Sequence, residues 1–322
     1  MAVTRRNILK NATARTQYIA GVKFLKQEDS GQTTGDFGIP GPSTMVSTYD
    51  LFVIWHQLTM MTMTPPNNPS GRNAAHRGPV FHPWHRVMLM VLESNLQRVL
   101  NDASFGLPYW DWAADGNKTP AKQKKSALWK KTCMGGSGEP VTTGPFAFKA
   151  SDPASWRVRV EGDFAGNLLS ANRGLRRTLG ADTPSLPKKV HVDHALDLTP
   201  YDKADWDAGE TDAFRNRAEG WNPEDPLAQH WLHNRVHVWI GGDMSPGTSP
   251  NDPVFFLNHC NVDRIWESWL SQNGRTYVPG NSAGAFLKGH RIDDPIASPL
   301  GGTMTPRQVL DVSATYVYDV LP

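Results

Sequence analysis

Residues 228–242, AQHWLHNRVHVWIGG, place three of the chain's eleven histidines within eight positions. On a helix with about 100° per residue, His230, His233 and His237 fall within roughly 60° of one another. The residues around them are largely apolar, whereas a solvated helix face would carry Lys or Glu. Imidazoles stacked beside apolar residues need a shared partner, and a metal ion suits their nitrogen donors. The stretch therefore predicts a buried helix that helps to build a metal site.

Three other segments combine a helical pattern with a histidine in apolar surroundings. Helix bundles build metal sites in this way, from inward-facing side chains on neighbouring helices. We therefore predict a mainly α fold with a four-helix bundle core that holds the metal site, together with long loops and a few short strands. The three segments are 48–63 with His56, 83–102 with His85 and a proline at the favoured first helical position, and 253–270 with His259. Weaker patterns predict helices at 13–26 and 212–219.

Composition bounds the class of protein. The chain has 322 residues, of which 39% are hydrophobic and 20% are charged, as in ordinary soluble globular proteins. We expect one domain spanning residues 1–322, with residues 115–212 forming surface excursions within it. A net charge of +2 argues against nucleic acid or a membrane surface as a partner. The longest apolar run is far below the roughly 20 residues that a membrane span needs.

The cysteines and the N-terminal residues bear on the compartment. Cys133 and Cys260 are too few for a disulfide framework and fit a reducing compartment. Residues 4–10, TRRNILK, resemble a twin-arginine export motif, but Arg15 follows and an apolar segment is missing. We therefore expect a cytoplasmic protein, with export by the twin-arginine route or with a partner protein as the alternative.

At least six histidines lie on predicted core helices or on the loops that cap them. Neutral imidazole suits zinc, copper, iron and nickel. The chain has no CxxC or HExxH motif of the kind that zinc sites use, and no GxSxG elbow of a serine hydrolase. The pattern indicates two metal ions that share an all-imidazole set of ligands, with copper, zinc and iron all open.

Two gapped signatures resemble those of tyrosinases and related type-3 copper proteins. Residues 75–86, AHRGPVFHPWHR, resemble the CuA signature, and residues 233–242, HNRVHVWIGG, with 249–266, SPNDPVFFLNHCNVDRIW, resemble the CuB signature. LPYWDW (107–112) and YVYD (316–319) are similar to further landmarks of that family. The resemblance spans nearly the whole chain, and it implies a mostly helical domain around a four-helix bundle that holds two copper ions.

Carried over residue by residue, the resemblance assigns three histidines to each copper ion. His82 competes with His76 for one position, and the family pattern favours His76. His230 lies about 10 Å from His237 along the helix axis, so we expect it at the rim of the site. The implied ligands are His56, His76 and His85 for CuA, and His233, His237 and His259 for CuB. The histidines expected at the surface are His191, His194 and His290.

The family's chemistry, as the resemblance implies it, takes O2 as co-substrate. It oxidises small phenolic or aminophenolic substrates, turning o-diphenols into o-quinones and o-aminophenols into quinone imines. Some members also hydroxylate monophenols, which requires a base for a phenol proton with a pKa of about 10. In bacterial relatives a Glu and an Asn hold a water for this step, and Glu219 and Asn234 match them. An insertion relative to the family carries Glu224 and His230 and separates Glu219 from His233.

Asn258 departs from the family pattern, since many relatives have His directly before the third CuB ligand. Asn cannot take up a proton, so we expect an o-aminophenol oxidase or a catechol oxidase. Two alternatives stay open. One is a full tyrosinase that hydroxylates monophenols. The other is a haemocyanin-like oxygen carrier, which is disfavoured because this chain lacks an extra domain or residue to block the copper pair.

Other residues near the signatures are expected to be structural. Ala74 stands where some relatives crosslink a Cys to a histidine, so no thioether is expected, and Cys260 is expected to pack in the core. Asp263 could orient a ligand histidine, but we expect it to form an ion pair with Arg86 or Arg264. The resemblance also admits a copper-delivery protein as a partner.

Overall fold

The computed structural model describes residues 2–66, 71–221 and 232–322. Helices dominate this part of the chain, with 39% of residues in helices and 11% in strands, so the predicted mainly α fold is confirmed. The helices are α1 (Ala12–Gln27), α2 (Thr48–Met61), α3 (Phe81–Leu100), α4 (Trp112–Gly116), α5 (Pro120–Gln123), α6 (Lys189–Leu196), α7 (Phe214–Glu219), α8 (Leu232–Ile240) and α9 (Val254–Gln272). Among the described residues, no helix is both long and apolar enough to cross a membrane.

The strands form short two-stranded ladders. The first and the last strand pair in parallel, so that Val3 lies beside Tyr316 and Arg5 beside Tyr318, whereas the other ladders are antiparallel. The ladders are β1 (Val3–Arg5) with β8 (Tyr316–Tyr318), β2 (Asp29–Thr33) with β3 (Met45–Ser47), β4 (Val158–Gly162) with β5 (Leu168–Arg173), and β6 (Ile296–Ala297) with β7 (Thr303–Met304).

The helices α2, α3, α8 and α9 carry histidines into the core, as the sequence predicted. The α9 helix packs against both α3 and α8, and α1 packs against α2 and α3. The α2 helix is buried from Thr48 to Gln57, in keeping with a pattern that is apolar on nearly every side. The α9 helix is buried from Val254 to Leu270, so its polar side chains also face the interior.

Local signals set the helix boundaries. The α2 helix begins at Thr48 as predicted, because the Ser47 side chain accepts a hydrogen bond from the Asp50 backbone N–H. The α3 helix begins at Phe81, earlier than the predicted Pro83. Proline is tolerated in the first turn of a helix, where backbone N–H groups lack helical partners, so Pro83 follows the true start.

A buried ion network fastens the first and last strands to two of these helices. The Asp263 carboxylate on α9 accepts hydrogen bonds from Arg86 on α3 at 2.5 Å and from Arg5 on β1 at 3.1 Å. The hydroxyls of Tyr316 and Tyr318 on β8 donate to the same carboxylate at 2.6 Å each. The expected ion pair between Asp263 and Arg86 is therefore present, and it fixes α3 relative to α9.

Candidate metal centre

Six histidines form two groups of three in the helical core, and all are buried except His237, which is half-buried. Within each group, the nitrogen atoms that could bind a metal lie within 4.8 Å of one another. The first triad is His56, His76 and His85, and the second triad is His233, His237 and His259. In the first triad, α2, α3 and the loop between them supply one histidine each. In the second, α8 supplies two histidines one turn apart and α9 supplies the third.

Distances within the second triad match a shared ion. Nε2 of His259 lies 3.1 Å from Nε2 of His233 and 3.4 Å from Nε2 of His237. Two nitrogen atoms that bind one ion through bonds of about 2.0–2.1 Å at tetrahedral angles are about 3.3 Å apart. Both distances from Nε2 of His259 therefore match the spacing of two ligands to one metal ion.

Backbone carbonyls orient three of the imidazoles. The pairs of Nδ1 and carbonyl oxygen are His56 with Gly247 at 2.5 Å, His85 with Phe81 at 2.7 Å, and His237 with Met244 at 2.6 Å. A carbonyl oxygen can only accept a hydrogen bond, so each Nδ1 carries the proton and each Nε2 keeps a free lone pair. Partners of this kind fix the orientation of metal-binding histidines.

Burial keeps the six imidazoles neutral. Removal from water lowers the pKa of His56 to about 3 and that of His237 to about 4, and it holds the pKa of the other four well below the usual value. Nε2 of His56 and Nε2 of His85 are buried without a hydrogen-bond partner among the described residues. Unpaired buried acceptors are costly, and a cation would satisfy them. The two triads therefore fit two metal ions.

The two triads lie against each other. The rings of His85 and His259 stack with their centroids 4.2 Å apart and their planes 13° from parallel. Trp84 packs beside the first triad, with its ring centroid 4.8 Å from that of His85 and 5.7 Å from that of His56. The two candidate ion positions are therefore neighbours, which suits a dinuclear centre.

A pocket opens onto both triads. It has a volume of about 160 Å³, and its walls include four of the six histidines. Its other walls include Met60, Trp221, Asn234, Val238, Pro246 and Ser249. A larger cavity of about 490 Å³ beside Met90 contacts neither triad. Apart from the histidines, no lining residue in the described part of the chain carries an ionisable side chain, so the pocket suits a small neutral aromatic ring.

Glu219 lies beside the second triad at the end of α7, fully buried. Its Oε1 accepts hydrogen bonds from the Arg77 backbone N–H at 2.7 Å and from the Trp221 indole at 3.0 Å, and its Oε2 accepts one from Arg215 at 3.1 Å. Its backbone oxygen lies 3.2 Å from Nδ1 of His233. The additional residues between Glu219 and His233 therefore do not separate the two in space.

The two asparagines singled out from the sequence have different surroundings. Oδ1 of Asn234 lies 2.9 Å from Nδ1 of His233, whereas its Nδ2 is buried and unpaired in the described part of the chain. Asn258 is fully buried, and neither its Oδ1 nor its Nδ2 has a hydrogen-bond partner there. Asn258 thus brings neither an acid nor a base to the helix turn that carries His259.

His82, which competed with His76 for one ligand position, lies outside both triads. It lies in the first turn of α3 and is buried, with Nδ1 3.1 Å from the hydroxyl of Tyr201 and its ring stacked on Phe214 at 5.2 Å. Because α3 begins before His82, its side chain turns towards the aromatic core and joins neither triad. His76 occupies the first triad instead, as the family pattern favoured.

The expectation for His290 is wrong, because this histidine is fully buried rather than at the surface. Its two ring nitrogens form hydrogen bonds with Thr64 and Val80. No local sequence pattern predicts these contacts. His194 is exposed and His191 half-buried on α6, and neither joins a metal-binding group within the described residues. His230 and Glu224 lie outside the described residues.

Sequence reasoning missed Arg215 and Trp221, which both bond the Glu219 carboxylate. One signal was available for Arg215, since it precedes Glu219 by four residues on a predicted helix, the spacing at which opposite charges meet. Trp221 follows Glu219 by two residues, beyond the end of α7, and nothing in its spacing indicates the contact.

Comparison with known proteins identifies the family to which the chain is related. A model of the common central domain of tyrosinase matches residues 46–272. A tyrosinase from Streptomyces glaucescens is 37% identical over 324 residues, covering 99% of each chain. A grixazone synthase from Streptomyces griseus subsp. griseus is 37% identical over 294 residues, covering 84% of this chain and 90% of that one.

Solved structures share the fold. A polyphenol oxidase variant from Thermothelomyces thermophila superposes with a TM-score of 0.72 at 22% identity, over 100% of this chain and 89% of that chain. A functional unit of octopus haemocyanin gives a TM-score of 0.55 at 18% identity, over 99% and 69% respectively. The tyrosinase family uses a dinuclear copper centre, which the two triads fit. By its sequence match and its fold, the chain belongs to the tyrosinase family of type-3 copper oxidases.

Proposed function

We propose that this protein uses O2 to oxidise o-aminophenols to quinone imines and o-diphenols to o-quinones. The first and second triads would each hold one copper ion through their three imidazoles. Copper held there would supply the redox capacity that the side chains themselves lack. The pocket that opens onto both triads would hold the substrate ring.

The chain's own residues bind and orient. The carbonyl partners of the imidazoles keep each Nδ1 protonated and each Nε2 lone pair directed at the centre. Met60, Val238 and Pro246 offer apolar contact to a ring and exclude water around it. A substrate that carries two adjacent ring heteroatoms needs only to lose two electrons and two protons, with no new bond to oxygen.

The hydrogen bonds around Glu219 are the main support for o-aminophenols and o-diphenols, rather than monophenols, as substrates. Its carboxylate is already bonded to the Arg77 backbone N–H, the Trp221 indole and the Arg215 guanidinium. Burial raises the pKa of Glu219, and the charge of Arg215 opposes that rise. A carboxylate held by three donors is poorly placed to accept the proton of a monophenol, whose pKa is about 10. Asn258 supplies no base in its place.

A full tyrosinase is the second candidate. It is favoured by the approach of both Glu219 and Asn234 to His233, because these are the two residues that the family resemblance links to monophenol hydroxylation. Sequence identity does not separate the candidates, since a tyrosinase and a grixazone synthase are each 37% identical to the chain.

A parallel substrate assay tests the proposal. Protein loaded with two copper ions per chain is given an o-aminophenol, a catechol and tyrosine, and oxygen uptake is measured for each. A positioned base contributes about 10²–10⁴-fold, so we expect tyrosine to react at least about a hundredfold more slowly than the o-aminophenol. Equal rates for tyrosine and catechol would contradict the proposal.

A variant sharpens this assay. Asn258→His introduces a basic side chain beside His259, and we expect it to raise the tyrosine rate relative to the o-aminophenol rate. Asn258→Ser is the matched control, because it changes the same buried position without adding a base. If both variants shift the ratio equally, the buried amide acts through packing rather than through its missing basicity.

A further inference from the structure

His76 is held differently from the other five candidate ligands. Those five lie on helices, whereas His76 lies on the loop that joins α2 to α3. Within the loop, Oδ1 of Asn73 accepts hydrogen bonds from the backbone N–H groups of Ala75 at 3.0 Å and of His76 at 2.8 Å. These local bonds shape the turn that carries His76. Its place in the first triad also depends on contacts that tie the loop to distant residues.

His290 ties the beginning of this loop to its end. Its Nε2 lies 2.7 Å from Oγ1 of Thr64, and its Nδ1 lies 3.3 Å from the backbone nitrogen of Val80. A backbone N–H can only donate, so Nδ1 of His290 accepts and its Nε2 carries the proton. Nε2–H therefore donates to the Thr64 hydroxyl, and one neutral imidazole holds both points.

The surroundings of His290 keep it neutral. Burial holds its pKa well below the usual value, and the nearby guanidinium groups of Arg72 and Arg215 lower it further. Arg72 supports the same contact, because it donates hydrogen bonds to the backbone oxygens of Thr64 at 3.1 Å and of Phe286 at 2.9 Å. The segment around residues 286–290 is thus bonded to the loop at several points.

Gly78 gives a second, independent sign that the loop is shaped around His290. A Cβ atom at Gly78 would lie 2.8 Å from Cε1 of His290 and 2.5 Å from Cδ of Arg72. Both distances are too short for real carbon contacts, so this position accepts glycine without displacement of the two side chains. Gly78 follows His76 by two residues, and the close approach therefore occurs next to the candidate ligand.

We propose that His290 is a positioning residue that braces the loop carrying His76 and so determines how firmly the first triad retains its copper. The inference rests on the proposed function, because it takes the first triad as a copper site. Both ring nitrogens of His290 are hydrogen-bonded, so the residue acts through the loop and not as a ligand. Without the brace, His76 would move while His56 and His85 stayed on their helices.

Two variants of His290 and one control variant test the brace. His290→Leu removes both hydrogen bonds, and His290→Gln keeps one acceptor and one donor at a similar separation. Gln123→Leu is the matched control. Gln123 is also fully buried and bridges two segments, accepting from the Leu186 backbone N–H at 2.9 Å and donating to the Lys118 oxygen at 2.8 Å. It hydrogen-bonds to neither triad, so its loss reports general destabilisation alone.

The readout is the rate at which a chelator removes copper, together with the electron paramagnetic resonance signal of the copper that remains. Loss of a group that hydrogen-bonds directly to a metal-binding histidine costs about 10–100-fold in metal affinity, and His290, which acts through the loop, is expected at the lower end of that range. We therefore expect His290→Leu to release one of its two copper ions at least about tenfold faster than the wild type. The Cu(II) that remains in His290→Leu should give the same electron paramagnetic resonance signal as the single Cu(II) bound by His76→Ala. His290→Gln and Gln123→Leu should release copper at close to the wild-type rate.

The outcomes separate the brace from the proposed function. A wild-type protein that binds fewer than two copper ions per chain overturns the proposed function, whatever the variants do. If the wild type binds two and His290→Leu releases copper as slowly as Gln123→Leu, the brace is wrong and the proposed function stands. Gly78→Ala leaves the imidazole unchanged but crowds it, and it should reproduce the faster release. Slow release from Gly78→Ala and His290→Leu alike overturns the brace even if one variant folds poorly.

Discussion

The first and second triads contain the same kind of side chain, yet different parts of the chain hold them. The second triad is anchored by nearby residues. Nδ1 of His237 meets the backbone oxygen of Met244 across 7 residues, and Nδ1 of His233 meets that of Glu219 across 14. These anchors join α8 to the end of α7 and to the turn that follows α8, all of which are close in sequence.

The first triad depends on distant residues. Nδ1 of His56 meets the backbone oxygen of Gly247 across 191 residues, and His290 reaches Thr64 across 226. His85 is the exception, because its Nδ1 meets the oxygen of Phe81 across one helical turn. Contacts between distant residues form only when both segments are in place, and they are lost when either segment opens locally. The first triad should therefore lose its copper more readily than the second when the fold is perturbed.

Removal of one candidate ligand from each triad has the largest expected effect. We expect His76→Ala and His237→Ala to bind one copper ion per chain each, because three imidazoles become two. Oxygen uptake should fall to the level of copper-free protein in both variants, since two electrons must reach one O2. Metal analysis and an oxygen electrode measure these outcomes. A variant that keeps two copper ions and full turnover would show that its histidine is not a ligand.

The same variants identify which triad releases its copper first. Wild-type protein loaded with copper and held in mild urea should release the copper of the first triad before that of the second. The signal of the remaining copper should then match that of His76→Ala rather than that of His237→Ala. Release in the opposite order would show that the distant contacts do not make the first triad the weaker copper site.

Asp263→Asn should have the next largest effect, because it weakens the link between the two triads. Asp263 bonds Arg86, the neighbour of His85, and lies one turn beyond His259 on α9. Its loss leaves Arg86 and Arg5 buried with less opposite charge, and we expect the free energy of unfolding to fall by about 3 kcal/mol. Urea unfolding of copper-free protein measures the change.

A surface ion pair provides the control for this prediction. Asp293 pairs with Arg307 at 2.6 Å on the exposed side of the molecule. Exposed pairs contribute little to stability, so Asp293→Asn should leave the unfolding midpoint unchanged within error. An equal loss in both variants would indicate that total charge, rather than the buried network, is responsible.

His82→Phe has the smallest expected effect, and it appears below neutral pH. Burial holds the pKa of His82 well below its usual value, so the unfolded chain takes up a proton below about pH 6.5 while the folded chain does not. The stability that neutral His82 contributes is therefore present above the unfolded pKa and is lost as the pH falls through it, by about 1.4 kcal/mol per unit. Phenylalanine can stack on Phe214 without titrating.

The measurement is the unfolding free energy of copper-free protein at pH 7 and pH 5. At pH 7 the variant should lose only the hydrogen bond to Tyr201, about 1 kcal/mol. At pH 5 it should be the more stable of the two, because the wild type has by then paid about 2 kcal/mol for keeping His82 neutral. Parallel stability curves would indicate that His82 is not buried neutral.

The sequence predicted the helices that carry the triads well, because apolar patterns and histidine spacing are local properties. It placed His56 in a helix buried on nearly every side, and the structure agrees. It failed for His290, which was expected at the surface, and it did not indicate the aromatic surroundings of His82. The burial of His82 and His290 depends on Tyr201 and Val80, which lie 119 and 210 residues away, and a Gly-rich segment around position 290 shows no periodicity.

Glu219 shows where local reasoning reaches its limit. The sequence nominated it from the family pattern, and its i, i+4 spacing from Arg215 was visible on the predicted helix. The approach of the Arg77 N–H was not visible, because it requires the loop between α2 and α3 to fold against α7. The partners of the Glu219 carboxylate on other elements could be identified only from the three-dimensional structure.

The packing of Trp84 against His85 and His56 gives the protein an intrinsic optical reporter. Cu(II) quenches indole fluorescence at short range, so loading of the first triad should dim the emission of this buried tryptophan. Trp84→Phe would remove that component of the quenching and leave the response of more distant tryptophans. Emission intensity would thus follow copper loading of the centre in real time, without a chromogenic substrate.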